Sequence, residues 1–84
     1  MDKSEIENAV KKAIAENLKI DIEEVLNESS FVKDLGLDSL DSIEMFMDIE
    51  DVFGLKLSNK KIDKIKTVQD AIDLIIELNE NRNS

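Results

Sequence analysis

Ser39 is the residue whose surroundings point most clearly to chemistry. It follows Asp38 within an acid-rich segment, Asp-Leu-Gly-Leu-Asp-Ser-Leu-Asp-Ser-Ile-Glu, at positions 34–44. A serine that acts as a nucleophile in catalysis needs an adjacent general base, most often histidine. The sequence contains no histidine. We therefore predict that Ser39 is not a catalytic serine and is instead a site to which a group is attached.

The charge of the chain limits the partners that it can bind. Its 20 acidic and 11 basic residues leave a formal net charge of −9. Seven of the acids lie between positions 34 and 51, where there is no lysine or arginine. This argues against nucleic-acid binding, which requires a basic surface. We expect partners with basic patches, because opposite charge speeds association.

The composition predicts one small helical domain over residues 1–84. A chain of this length builds a single modest core, and the absence of cysteine removes disulfides and thiolate metal sites. The absence of proline, with only two glycines, favours helices separated by short breaks. No apolar run approaches the roughly 20 residues that span a bilayer. We expect a cytoplasmic monomer with no membrane segment and no metal site.

The first predicted helix covers residues 4–18, where Ser4 and Glu7 have the spacing of a capping box. Its apolar stripe consists of Ile6, Val10, Ala13, Ile14 and Leu18. A long connection follows over residues 19–37, with a short turn expected at 22–26 after Asp21. Its expected apolar anchors are Val25, Phe31, Val32, Leu35 and Leu37.

The second predicted helix runs over residues 39–53, between Asp38 as its N-cap and Gly54 as its C-terminal stop. On a helical wheel it has two apolar faces. The broad face, expected to meet the core, consists of Ser42, Met45, Phe46, Ile49, Val52 and Phe53. The narrow face consists of Leu40, Ile43 and Met47, and its acidic flanks are Asp41, Glu44, Asp48, Asp51 and Glu50. This face suits a partner with a basic rim; alternatively, Ile43 and Met47 pack beneath a loop.

Two further helices are expected. A short one should cover residues 59–65, with Ser58 or Asn59 as its cap and with Ile62 and Ile65 facing inward. In the last helix Thr67 should be the cap, with Asp70 three residues later. Its stripe consists of Val68, Ala71, Ile72, Ile75 and Leu78. The polar tail, residues 79–84, should fray.

Several motifs together resemble the discrete acyl carrier proteins of bacteria. They are Phe31-Val32-Lys33-Asp34-Leu35-Gly36, Asp38-Ser39-Leu40-Asp41, Glu44, Glu50-Asp51-Val52-Phe53 and Thr67-Val68-Gln69-Asp70-Ala71-Ile72-Asp73. The resemblance covers nearly the whole chain. It implies an all-α fold, a bundle of three longer helices and one short helix, and a carrier rather than an enzyme.

By this resemblance Ser39 carries 4′-phosphopantetheine, which a phosphopantetheinyl transferase takes from coenzyme A, and Asp38 supports the modification. The expected partner-binding residues, from this match and from the wheel, are Leu40, Asp41, Ile43, Glu44, Met47, Asp48, Glu50 and Asp51. The positions that match the acyl pocket of the family are Phe31, Phe46, Ile49, Leu57, Ile62, Ile65, Ala71 and Ile75. These apolar residues would be core residues in any such bundle.

The resemblance implies that acyl intermediates travel on the arm as thioesters to the enzymes of fatty-acid synthesis. Two alternatives remain open: a specialised carrier for polyketide, peptide or other dedicated acyl transfer, and an interaction module without the cofactor. The chain departs from the family pattern at Leu37, where a small residue is usual. It also departs at the third helix, where lysines replace acids around Asp63; they are Lys60, Lys61, Lys64 and Lys66.

Overall fold

Three long helices and one short helix make up the fold. The computed structural model describes residues 2–83. Its α-helices are α1 (Lys3–Leu18), α2 (Ser39–Phe53), α3 (Asn59–Asp63) and α4 (Val68–Asn83), and a 3₁₀ helix, Ile22–Glu24, lies between α1 and α2. Within this described range there is no strand. The prediction of an all-α bundle with three longer helices and one short helix is confirmed.

The core forms where α1 packs against both α2 and α4. Each long helix turns an apolar stripe inward, because burying these side chains removes apolar surface from water. The most deeply buried helical residues are Ile6, Val10 and Ile14 of α1, Met45 and Ile49 of α2, and Val68, Ile72 and Ile75 of α4. In contrast, α3 contributes no fully buried residue. The bundle is therefore closed by a thin wall on the side of α3.

The first helix begins earlier than predicted. Asp2, not Ser4, is its N-cap, and the Asp2 carboxylate accepts a hydrogen bond of 2.8 Å from the backbone N–H of Glu5. Asp2 and Glu5 form a capping box with the same spacing as Ser4 and Glu7. The prediction of the capping box at Ser4 was wrong because two overlapping pairs fit the pattern, and the earlier pair allows a longer helix.

The bounds of α2 are those predicted from its caps. Asp38 is the N-cap, and its carboxylate accepts a hydrogen bond of 2.9 Å from the backbone N–H of Asp41. Gly54 ends the helix with a φ of 63°, and its N–H donates to the carbonyl of Glu50. A residue with a Cβ would be strained in this left-handed conformation. Both ends of the helix that carries Ser39 are thus defined locally.

Two apolar residues that we expected to be anchored inside are exposed. Val52, predicted on the core face of α2, is 58% exposed, and Val32, predicted as an anchor of the long connection, is 68% exposed. Val52 lies at the edge of the broad face, beside the exposed side chains of Glu16 and Asn17 on α1. The other anchors are buried or half-buried. The predicted core face of α2 was therefore too wide by one residue.

The last two helices differ from prediction in length. The α3 helix ends at Asp63, so Ile65 lies beyond it; Ile62 and Ile65 are both half-buried. Residues 79–83, predicted to belong to a frayed tail, continue α4 as helix, and Ser84 lies outside the described residues. Whether the last turn frays in solution stays a prediction. No described helix is both long enough and apolar enough to cross a membrane.

Backbone hydrogen bonds tie the loop before α2 to the loop before α4. Ser30 and Thr67 form an isolated antiparallel bridge. The N–H of Phe31 donates to the carbonyl of Lys66 at 3.1 Å, and the N–H of Val68 donates to the carbonyl of Ser29 at 3.0 Å. These bonds bring two loops that are distant in sequence to the same side of the bundle as the start of α2.

Candidate functional site

Ser39 is exposed at the first position of α2. The loop that delivers it is well anchored. Leu37 is 5% exposed in the core, and its N–H donates a hydrogen bond of 2.9 Å to the carbonyl of Phe31. Gly36 has a φ of 69°, a left-handed conformation in which a residue with a Cβ would be strained, and it allows the chain to turn here. The larger residue at position 37 is therefore accommodated in the core.

A cleft of about 620 Å³ opens beside Ser39 and is here called the Ser39 cleft. It lies between the start of α2, the loop at residues 30–33 and the segment from α3 to Lys66. Its lining is Ser30, Phe31, Val32, Lys33, Asp38, Ser39, Ser42, Ile43, Phe46, Ile62, Asp63, Ile65 and Lys66. Phe31 and Phe46 are buried in its floor and meet edge to face, with ring centroids 5.6 Å apart. A hydroxyl at the rim thus adjoins a floor of apolar side chains.

A second groove, of about 530 Å³, continues between α2 and α3 and is here called the α2–α3 groove. Its lining is Ile43, Phe46, Met47, Glu50, Leu57, Asn59, Ile62 and Asp63. Four of these residues also line the Ser39 cleft: Ile43, Phe46, Ile62 and Asp63. The two openings therefore lie side by side along α2.

The narrow apolar face of α2 is on the surface. Leu40 is 65% exposed, Ile43 50% and Met47 57%. Asp41, Glu44 and Asp51 are exposed as well. The alternative that a loop covers Ile43 and Met47 is wrong, since both contribute open surface. An exposed apolar strip with carboxylates around it is a feature of docking surfaces.

Two other predicted partner-binding acids contact their own chain. The half-buried carboxylate of Glu50 accepts a hydrogen bond of 2.6 Å from the backbone N–H of Leu57, which holds the loop between α2 and α3. The carboxylate of Asp48 accepts a hydrogen bond from the side-chain amide of Asn17 on α1. These two carboxylates therefore support the fold, whatever they contribute to a partner.

The residues predicted to form the acyl pocket divide into two groups. Five of them line one or both openings: Phe31, Phe46, Leu57, Ile62 and Ile65. Ile49, Ala71 and Ile75 line neither and are at most 2% exposed, within the closed core. An acyl chain would reach this second group only if the side chains in front of it moved apart.

Several lining residues of the Ser39 cleft were not foreseen from the sequence. They are Ser30, Val32, Lys33, Ser42, Asp63 and Lys66. No sequence pattern marks them, because the bridge between Ser30 and Thr67 brings distant loops together. Lys61 and Lys64 line a different groove, between α3 and α4, with the acidic residues Asp70, Asp73 and Glu77. These two lysines therefore lie where they offset the charge of α4.

Ser39 presents an accessible hydroxyl, and no histidine exists to remove its proton. Over the residues that the structure describes, no group of three or more potential metal ligands could hold an ion. One carboxyl beside the cleft has a perturbed pKa: hydrogen bonds from the backbone N–H groups of Lys66 and Thr67 lower the pKa of Asp70. That carboxylate is therefore occupied by hydrogen bonds to the loop before α4.

The fold and the site define a class: a small helical domain with an exposed serine at the start of its second long helix. Residues 8–75 match the family model described as "Phosphopantetheine attachment site". The chain is also 45% identical, over 75 residues, to an acyl carrier protein of Thermosynechococcus vestitus; the match covers 89% of this chain and 93% of that protein. The chain therefore belongs to the acyl carrier protein family. It is a carrier that bears 4′-phosphopantetheine, and it is not an enzyme.

Proposed function

We propose that Ser39 is the attachment site of phosphopantetheine, and that the protein carries acyl intermediates between enzymes of fatty-acid synthesis. The observation that carries this proposal is the position of Ser39. Its hydroxyl is exposed on the first turn of a 15-residue helix, at the rim of a cleft with an apolar floor. A bulky arm attached to Ser39 could extend away from the helix without disturbing the core.

The chain's own residues orient the serine and leave its activation to another protein. Asp38 caps α2 and thereby holds Ser39 at the helix start. Transfer from coenzyme A joins the Ser39 oxygen to phosphorus, breaks the pyrophosphate bond of coenzyme A and releases adenosine 3′,5′-bisphosphate, so a base must take the hydroxyl proton. We assign that base to the transferase. Once bound, phosphopantetheine supplies the thiol on which acyl groups are held as thioesters.

The surroundings of Ser39 suit such an arm. The Ser39 cleft and the α2–α3 groove offer apolar walls on which an acyl chain could lie. We propose Phe31, Phe46, Ile62, Ile65 and Leu57 as its first contacts, with Ile49, Ala71 and Ile75 behind them. The apolar side chains of the lining favour a saturated chain, which supports the fatty-acid pathway over carriers of polar cargo.

The proposed docking surface is the exposed strip of α2 with its acids. Leu40, Ile43 and Met47 would contact the partner, and Asp41, Glu44 and Asp51 would steer a basic patch towards them. Partners of this kind are the transferase and the synthesis enzymes, so we propose a cytoplasmic monomer that meets each of them in turn.

The attachment site is tested with two serines of the same cleft. Incubating the apo-protein with coenzyme A and a broad-specificity transferase should add one phosphopantetheine, measured by intact mass. Ser39→Ala should add none, whereas Ser42→Ala, one turn later on α2 and lining the same cleft, should add one. Circular dichroism should show both variants folded. Modification of a folded Ser39→Ala protein would overturn the assignment.

A further inference from the structure

Two lysines line the Ser39 cleft, and the proposed function gives them no role. Lys33 lies in the loop before α2, and Lys66 lies between α3 and α4. Both side chains are exposed. Among residues 2–83, neither ammonium group forms a salt bridge. Two lysines that form no salt bridge within the described residues thus line the same cleft as the serine that is proposed to carry a phosphodiester.

The backbone around both lysines is held in place. The N–H of Lys33 donates a hydrogen bond of 3.1 Å to the hydroxyl of Ser30. The N–H of Lys66 donates one of 2.9 Å to the carboxylate of Asp70, and the carbonyl of Lys66 accepts one from Phe31. Because the backbone is already ordered, binding an anion would not add the cost of ordering these loops.

A phosphodiester on Ser39 would need positive charge nearby. Asp38 and Asp63 line the same cleft, and Asp41 is exposed two residues after Ser39. The whole molecule carries a net charge of −9. A phosphodiester keeps one negative charge at neutral pH, so these carboxylates would repel it into solvent. Lys33 and Lys66 are the two cationic side chains that line the Ser39 cleft, and they oppose that repulsion.

We propose that Lys33 and Lys66 form a cationic clamp for the phosphodiester of the arm and so direct the arm into the Ser39 cleft. This inference rests on the proposed attachment at Ser39. Lysine binds phosphate as a point charge and tolerates variable geometry, which suits two exposed side chains on neighbouring segments of the cleft lining. The covalent bond to Ser39 keeps the phosphate at the cleft, so weak attraction is sufficient.

The test compares two double variants with the same change in net charge. Lys33→Gln with Lys66→Gln removes the clamp; Lys61→Gln with Lys64→Gln removes two lysines that line the groove between α3 and α4. For each protein, the melting temperature is measured with and without the arm. The difference between the loaded and unloaded forms cancels direct effects of the substitutions on folding.

We expect the clamp variant to lower that difference by about 2–5 °C relative to the original chain, since two exposed charge pairs are involved. The control variant should leave it unchanged, and added NaCl should remove the effect. In ³¹P spectra of the loaded proteins, the phosphodiester resonance should move in the clamp variant alone.

Intact mass separates this proposal from the one on which it rests. Failure of the original chain to load at Ser39 would contradict the proposed function. If all proteins load and the two double variants behave alike, only net charge matters and there is no clamp. Slower loading of the clamp variant, with an unchanged melting difference and ³¹P resonance, would mean that the lysines contact the transferase, and would also overturn the clamp.

Discussion

At the scale of single residues, Asp70 shows how one carboxylate holds the loop beside the site. It accepts hydrogen bonds from the backbone N–H groups of Lys66 at 2.9 Å and Thr67 at 3.0 Å. In return, the N–H of Asp70 donates to the hydroxyl of Thr67 at 3.2 Å. This reciprocal capping confirms Thr67 as the cap of α4 and also anchors Lys66 at the Ser39 cleft.

Replacing Asp70 should therefore cost stability in a pH-dependent way. We expect Asp70→Ala to lower the free energy of unfolding by about 1 kcal/mol at neutral pH, the usual cost of a lost cap. Backbone hydrogen bonds lower the pKa of Asp70 below 3.8 in the folded protein. The stabilisation is therefore fully present above the pKa that Asp70 has in the unfolded chain. It is lost as the pH falls through the lower pKa of Asp70 in the folded protein.

Urea unfolding at several pH values checks this prediction. The difference in free energy of unfolding between the original chain and Asp70→Ala should have its full size at neutral pH and should shrink below about pH 4. Glu77→Ala, an exposed position on the same helix, is the control and should show a small gap. A gap for Asp70→Ala that stayed constant down to about pH 3 would mean that lost packing, and not the charge, is responsible.

At the scale of elements, α2 has two separate tasks. Met45, Phe46 and Ile49 bury one side of the helix in the core, while Leu40, Ile43 and Met47 remain on the surface. The acids of the exposed side are not equivalent. Glu50 and Asp48 bind other parts of the chain, so a charge change at either would mix docking with stability. Glu44 and Asp51 are the cleaner probes because both are exposed and, within the described residues, neither carboxylate is hydrogen-bonded to another part of the chain.

Charge reversal at these two positions tests the docking surface. Glu44→Lys and Asp51→Lys should each slow association with a transferase roughly three- to tenfold at low salt, with a smaller effect at high salt. Glu80→Lys changes net charge equally on α4, where Glu80 is exposed. Association rates from stopped-flow or surface plasmon resonance measure the effect. Equal slowing by all three variants would indicate that partners sense only the total charge.

At the scale of the whole molecule, the bundle is thick on one side and thin on the other. The α1 helix packs against α2 and α4, whereas α3 is five residues long and has no fully buried side chain. The two openings meet at Ile43, Phe46, Ile62 and Asp63, next to this thin wall. Separation of α3 from α2 would break few contacts, so this is where an acyl chain would enter.

An octanoyl chain should accordingly raise the melting temperature. Each buried methylene contributes about 0.8 kcal/mol, so the six methylenes of an octanoyl chain could contribute up to about 5 kcal/mol before the cost of opening. Even partial burial should raise the melting temperature of the loaded form by about 5 °C over the form with the bare arm. Differential scanning calorimetry of the two forms provides the measurement.

Two substitutions to aspartate test where the acyl chain lies. Ile62→Asp places a charge in both openings and should shrink the gain that octanoyl produces. Val52→Asp makes the same change at an exposed valine outside both openings and should preserve the gain. Identical melting temperatures with and without octanoyl in the original chain would show that the acyl group stays in solvent.

The sequence alone determined the features that depend on neighbouring residues. Asp38 and Gly54 define both ends of α2, because a cap binds within its own first turn and a left-handed stop needs only a glycine. The helix type of the long segments follows from apolar spacing, and the motif around Ser39, together with the other matching motifs, indicated the family. Even local rules become ambiguous where they overlap, as Asp2 and Ser4 show at the start of α1.

Tertiary structure decided which distant residues meet. The bridge between Ser30 and Thr67 brings Lys33 and Lys66 to one cleft, and the return of the chain after Gly54 brings the N–H of Leu57 to Glu50. The exposure of Val52 likewise depends on how far α1 covers α2. These outcomes depend on how the helices pack and how the loops close between them. Apolar spacing sets which side of a helix is buried, but it does not specify which loop covers the edge of that side.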